Sequence, residues 1–112
     1  MENINNQSEF ISLDSITIEK RNDGDAYLIG VTNKQQAEQI IKIIFDYFNE
    51  PTFYLKNAVQ TILEEKNEYR FESTFSLKLF KDNQLLLDNR NGRGVKANRA
   101  RLEEISHLLK NN

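Results

Sequence analysis

Apolar and polar positions alternate in two parts of this chain and recur with a helical period in three others. The first alternation lies in "FISLDSITIEKR", where Leu13, Ile16 and Ile18 recur among polar neighbours and predict a strand with one buried face. "NDGD" follows, and Asp-Gly between two apolar runs predicts a tight hairpin turn, because Gly24 accepts the positive φ that a two-residue turn needs. "AYLIGV" is the returning strand. Thr32 and Gln35 have the spacing of a capping box and open a helix. Its stripe is Ala37, Ile40, Ile41, Ile44 and Phe48, and Ile43, Phe45 and Tyr47 widen it until only Lys42 and Asp46 stay polar in the second half. A helix apolar on most sides is buried on most sides. Pro51 breaks the period. Thr52 then stands as an N-cap for a second helix whose stripe is Leu55, Ala58, Val59, Ile62 and Leu63.

The longest alternation is "EYRFESTFSLKLF". Tyr69, Phe71, Ser73, Phe75, Leu77 and Leu79 share one face, and Arg70, Glu72, Thr74, Ser76 and Lys78 the other. That predicts a single strand of an antiparallel sheet with one wet face. "KDNQ" turns the chain, "LLLD" returns, and a last helix carries Val95, Leu102, Ile105 and Leu109 inward. The predicted class is α+β: two antiparallel β-hairpins forming a sheet, with helices packed on one face, in the order ββααββα. The predicted core is Ile40, Ile41, Ile44, Phe48, Phe75, Leu77, Leu79, Leu102 and Ile105. Ile16, Ile18, Asp23 and Leu28 also fall over Phe75, Leu77, Asp82 and Leu87 when the first unit is slid onto the second, which raises a degenerate ββα repeat beside the plainer reading of two ordinary hairpins.

With 112 residues, 38% of them hydrophobic, the chain fits one domain, 10–112, behind a polar tail, 1–9. The absence of Cys excludes disulfides, thiolate nucleophiles and zinc–thiolate sites. "MENINNQSE" has neither the basic nor the apolar region of a signal peptide, and no apolar run reaches the roughly 18 residues of a membrane span, so a cytoplasmic protein with no membrane partner is expected. The abundance of Asn, Ile and Lys suits an AT-rich bacterial or phage genome.

Catalytic constellations are poorly supported. His107 is the only histidine; Ser106 is its sequence neighbour and faces elsewhere on a helix, while Glu103, four residues earlier, makes a solvent-exposed Glu–His pair. One His without Cys makes a weak metal set. "DGDAYL" begins like a calcium loop but has Tyr27 and Leu28 where a ligand and a Gly belong. Glu64–Glu65 and Glu103–Glu104 diverge by about 100° around a helix, in no apolar setting that would raise a carboxyl pKa. No enzyme, cofactor or metal is expected.

One segment stands apart. "NRNGRGVKANRAR" carries Arg90, Arg93, Lys96, Arg99 and Arg101 and no acid, in a chain of net charge −2. It lacks the spacing of dinucleotide and P-loop motifs. A glycine-broken loop running into a helix still offers free N–H groups and the positive end of the dipole, so Arg90, Arg93 and Lys96 form a candidate anion or partner site. Arg99 and Lys96 flank one shoulder of the last helix with Glu103 between them, and Arg101 lies on the other, so Arg99 is expected to pair with Glu103. Ile43 and Tyr47, the surplus apolar side of the first helix, are a candidate interface for a partner or for self-association.

Two functions follow. The first is a small non-catalytic protein-binding module of inhibitor, immunity or regulatory type, with another protein as its partner. The alternative is nucleic-acid, nucleotide or phosphate binding through 90–101. The acidic total and the lack of aromatics in the basic segment count against it.

Overall fold

The computed structural model describes residues 15–90 and 94–111. The expected polar tail, Leu13 of the first strand, Gly92 and Arg93 lie outside them. Among these residues five strands and three helices follow in the order ββααβββα: β1 Thr17–Arg21, β2 Ala26–Gly30, α1 Lys34–Tyr47, α2 Leu55–Val59 running on through a π-turn at Gln60–Glu64, β3 Tyr69–Phe71, β4 Phe75–Lys81, β5 Gln84–Asn89 and α3 Val95–Lys110. The strands form one antiparallel sheet in the order β1-β2-β5-β4-β3. The α+β class is as expected; the sheet has one strand more.

The extra strand comes from "EYRFESTFSLKLF", which is not one strand but a hairpin. Glu72 and Ser73 take φ of 55° and 58°, Thr74 N–H donates to the Phe71 carbonyl at 3.0 Å, and Phe71 pairs with Phe75. Three connecting residues keep the parity of the alternation, so Tyr69, Phe71, Phe75 and Leu77 still face the helices although the chain has reversed. Ser73 sits in the turn. Because an L-residue in the left-handed region costs roughly 1 kcal/mol or more, Ser73→Gly is expected to raise stability by a few tenths to about 1 kcal/mol in urea melts, after the extra unfolded-state entropy of Gly is deducted.

Other local expectations shift in similar ways. The β1–β2 connection spans four residues rather than two: Arg21 pairs with Ala26, and Asn22, Asp23 and Gly24 all take positive φ. The cap of α1 lies one residue later than the Thr32–Gln35 box. Asn33 Oδ1 accepts the Gln36 N–H at 2.9 Å, and Gln36 Oε1 accepts the Thr32 N–H at 2.8 Å and its hydroxyl at 2.9 Å. Thr52 does not cap α2; it begins a 3₁₀ turn, Thr52–Tyr54, behind Pro51. The Asp82–Asn83 turn is the two-residue one, with Lys81 paired to Gln84. The repeat is not upheld in register, since Leu87 faces the helices and Leu28 the opposite side.

All the described helices lie on one face of the sheet. The core joins Tyr27, Ile29, Phe71, Phe75, Leu77, Leu85 and Leu87 from the strands to Ile40, Ile41, Ile44, Phe45, Phe48, Ala58, Ile62, Leu102, Ile105 and Leu109 from the helices. Leu79, expected in the core, is only partly buried, at a register shift between Leu79 and Lys81. Both α2 and α3 pack against α1. Flanked by two helices and backed by the sheet, α1 buries three sides, which is the physical origin of its wide apolar stripe. Among the described residues no helix lies on the other sheet face.

Candidate functional site

The basic segment does not converge on one point. Arg99 on α3 reaches the β1–β2 turn, where its Nε donates to Asp25 Oδ1 at 3.1 Å and its Nη2 to Oδ2 at 3.4 Å. Asp25, not Glu103, is therefore its partner; Glu103 lies 3.7 Å from His107 Nε2 on an exposed side of the helix. The Arg99 guanidinium holds the Asp25 carboxyl below its ordinary pKa against some desolvation. Buried Asn89 ties the same corner together: its N–H and Nδ2 donate to the Asp25 carbonyl and Oδ1 at 2.9 and 3.3 Å, and its Oδ1 accepts Asn98 Nδ2 at 3.2 Å. One carboxylate thus fastens α3 to the first hairpin and to the end of β5.

Arg101 fastens α3 to the second hairpin. Its Nη1 and Nη2 donate to Glu72 Oε1 and Oε2 at 2.8 and 3.1 Å. Its guanidinium carbon lies 5.7, 5.2 and 5.2 Å from the ring centres of Tyr47, Phe48 and Phe75. The bidentate bond lowers the Glu72 pKa and raises that of Arg101.

Of the other cations in the segment, Arg90 is exposed and lies 3.8 Å from Glu68, while its backbone N–H is taken by the Thr74 carbonyl at 2.8 Å. Lys96 is exposed on the first turn of α3, which enters from Gly94 at φ 55° without a side-chain cap. Arg93 lies outside the described residues. The outward charge of this site among the described residues is thus Arg90 and Lys96. Ile43 and Tyr47 are both half-buried against the core, and the Tyr47 hydroxyl donates to Glu104 Oε1, bridging α1 and α3.

Surface aromatics that the sequence pattern did not single out are exposed. Phe53 is 76% exposed and Tyr54 45%, with ring centres 4.4 Å apart, on the 3₁₀ turn between α1 and α2. Beside them a groove between those helices is lined by half-buried Leu55 and Val59 and by Glu38, Lys42, Lys56 and Glu64. Their signal in the sequence is negative: neither residue falls on the helical stripe that begins at Leu55. Phe80 is 41% exposed, on the sheet face opposite the described helices. Among the described residues no group of three or more His, Asp or Glu side chains is placed to hold a metal ion, and no helix is long and apolar enough to cross a membrane.

No family model, curated protein or solved structure matches this chain.

Proposed function

We propose that the chain is a small non-catalytic protein-binding module, of inhibitor, immunity or regulatory type, whose contact centre is the Phe53–Tyr54 pair with the α1–α2 groove beside it. One observation carries this reading. Phe53 leaves three-quarters of its surface in water while its ring lies tilted against a second exposed ring. Exposing a Phe forgoes about 1.5–3 kcal/mol of burial, and aromatic anchors surrounded by mixed charges are what protein interfaces are enriched in. Glu38, Lys42, Lys56 and Glu64 supply such a rim.

The nucleic-acid alternative is weaker for a specific reason. Arg99 and Arg101 have their donors committed to Asp25 and Glu72, which leaves few cations of the segment to meet phosphates, and nucleic-acid affinity scales with the phosphates neutralised.

The test is affinity capture from the native host with wild type and Phe53→Ser/Tyr54→Ser in parallel. A protein retained by wild type and lost by the variant, with unchanged melting, is expected. Recovery of nucleic acid that both forms retain overturns the reading.

A further inference from the structure

The face of the sheet opposite the described helices is not bare. Leu28 and Ala26 are only 7% and 3% exposed there, yet neither belongs to the core under the helices. Leu28 lies directly across from Leu86, and Leu86 from Lys78. Over this row reach two opposite corners of the sheet. Arg21, at the end of β1, holds its guanidinium carbon 5.7 Å from the ring centre of Phe80 on β4, and Lys81 places Nζ 5.9 Å from the same ring. A twisted sheet raises one pair of diagonal corners toward each other, and the irregularity between Leu79 and Lys81 turns the strand where Phe80 projects.

The molecule contains this arrangement twice, once complete and once open. Arg101 lies over aromatic rings and spends its in-plane donors on Glu72. Arg21 lies over an aromatic ring and has no carboxylate partner among the described residues. A guanidinium stacked on a ring keeps its edge free for two parallel bonds to a carboxylate, and its side-chain entropy is already largely lost. Lys78 and Lys81 also make no ion pair among the described residues, so three cations outside any ion pair rim the patch around Phe80 and Leu86, with Lys78 near enough for its charge to act on the Asp88 carboxyl.

We propose that this face binds an acidic segment of a partner protein, with a carboxylate bidentate on Arg21, further carboxylates near Lys78 and Lys81, and an apolar side chain seated on Leu86 and Phe80. The surface is separate from the Phe53–Tyr54 contact and does not depend on it. A protein segment fits better than a nucleic acid. Glu19, across from Leu28 at the end of its row, and half-buried Asp88, across from Ala26 in the next, stand on the same face. They repel a continuous phosphate backbone, whereas a peptide can place discrete carboxylates between them. Phe80 also offers only one ring where a strand of bases would use several.

The probe is a labelled peptide of repeated Glu-Leu-Glu-Ser, about twelve residues long, followed by fluorescence anisotropy at low salt. Its Gln-Leu-Gln-Ser counterpart and single-stranded oligothymidine are run in parallel. The acidic peptide is expected to bind, with both controls about tenfold weaker or more, the loss that follows when one charged hydrogen-bond partner is removed. Arg21→Lys keeps the stem and the charge, and so the cover over Leu28, but loses the flat fork; it is expected to weaken binding about tenfold. Phe53→Ser binds this probe like wild type, which separates this face from the contact proposed above. Equal binding of the neutral peptide, tighter binding of oligothymidine, wild-type affinity of Arg21→Lys with an unchanged melt, or no saturation by roughly 1 mM acidic peptide each overturns the proposal.

Discussion

Truncating Phe75 to Ala is expected to cost about 3–5 kcal/mol, the largest loss for any single side chain considered in this fold. Phe75 is 0% exposed. Its ring centre lies 5.1 Å from that of Phe48, its backbone pairs with Phe71 and Asn89, and the Arg101 guanidinium covers it at 5.2 Å. It therefore joins α1, α3 and the β3–β4 hairpin at one point. Helices pinned from above and strands from both sides leave little room for the site to collapse, which places the cost toward the upper end of the range. Equilibrium urea unfolding checks it: the midpoint falls sharply while the slope stays that of the wild type. A loss under about 1 kcal/mol would mean that Phe75 does not face the helices.

The same residue shows how much of the fold was legible in the sequence. Parity was legible. The alternation from Tyr69 to Leu77 assigns the buried face correctly, because burial depends on the two-residue period and a three-residue connection preserves it. The reversal was not legible, because Glu72–Ser73 lacks the Gly or Asn that marks a turn with two positive φ values. Besides its local bonds, with Arg70 Nη1 donating to the Ser73 carbonyl at 3.3 Å and the Thr74 hydroxyl to the Glu72 carbonyl at 3.1 Å, the turn is held by a tertiary contact, the grip of Arg101 on Glu72 from a helix 29 positions along the chain. The reach of Arg99 to Asp25 was invisible for a like reason. Glu103 at i+4 is the partner that a helix alone offers, whereas Asp25 becomes available only after the sheet has formed. Phe80, by contrast, left a trace. The alternation that buries Leu77 puts Phe80 on the polar face with Arg70 and Lys78, and an aromatic on a wet face is where a surface contact begins.

Arg101→Met is expected to destabilise by about 2 kcal/mol, from the loss of the bidentate bond together with the cation–π contacts to three rings. Met retains an apolar stem over Phe48 and Phe75, so the loss isolates the guanidinium rather than the packing. Glu72→Gln is expected to cost about 1 kcal/mol. The double-mutant cycle should return a coupling of about 1 kcal/mol, a figure kept low because Glu72 and Arg101 are 45% and 35% exposed at the side chain and screened by solvent. The pH dependence gives the pair a signature. Arg101 depresses the folded-state pKa of Glu72 below its ordinary 4.5. The unfolded chain binds the proton more readily, so the stabilisation is fully present above that ordinary value and is lost as the pH falls through the lower folded one. The stability gap between wild type and Glu72→Gln should therefore be constant from neutral pH down to about 5 and should close in acid. Arg101→Met should lose the same acid dependence, since without the guanidinium Glu72 has no depressed pKa to titrate. Urea midpoints measured across that range decide it. A gap that persists unchanged well below the ordinary glutamate pKa would show that the side chains pack together without the charge-assisted bond, and that Arg101 is available to a partner after all.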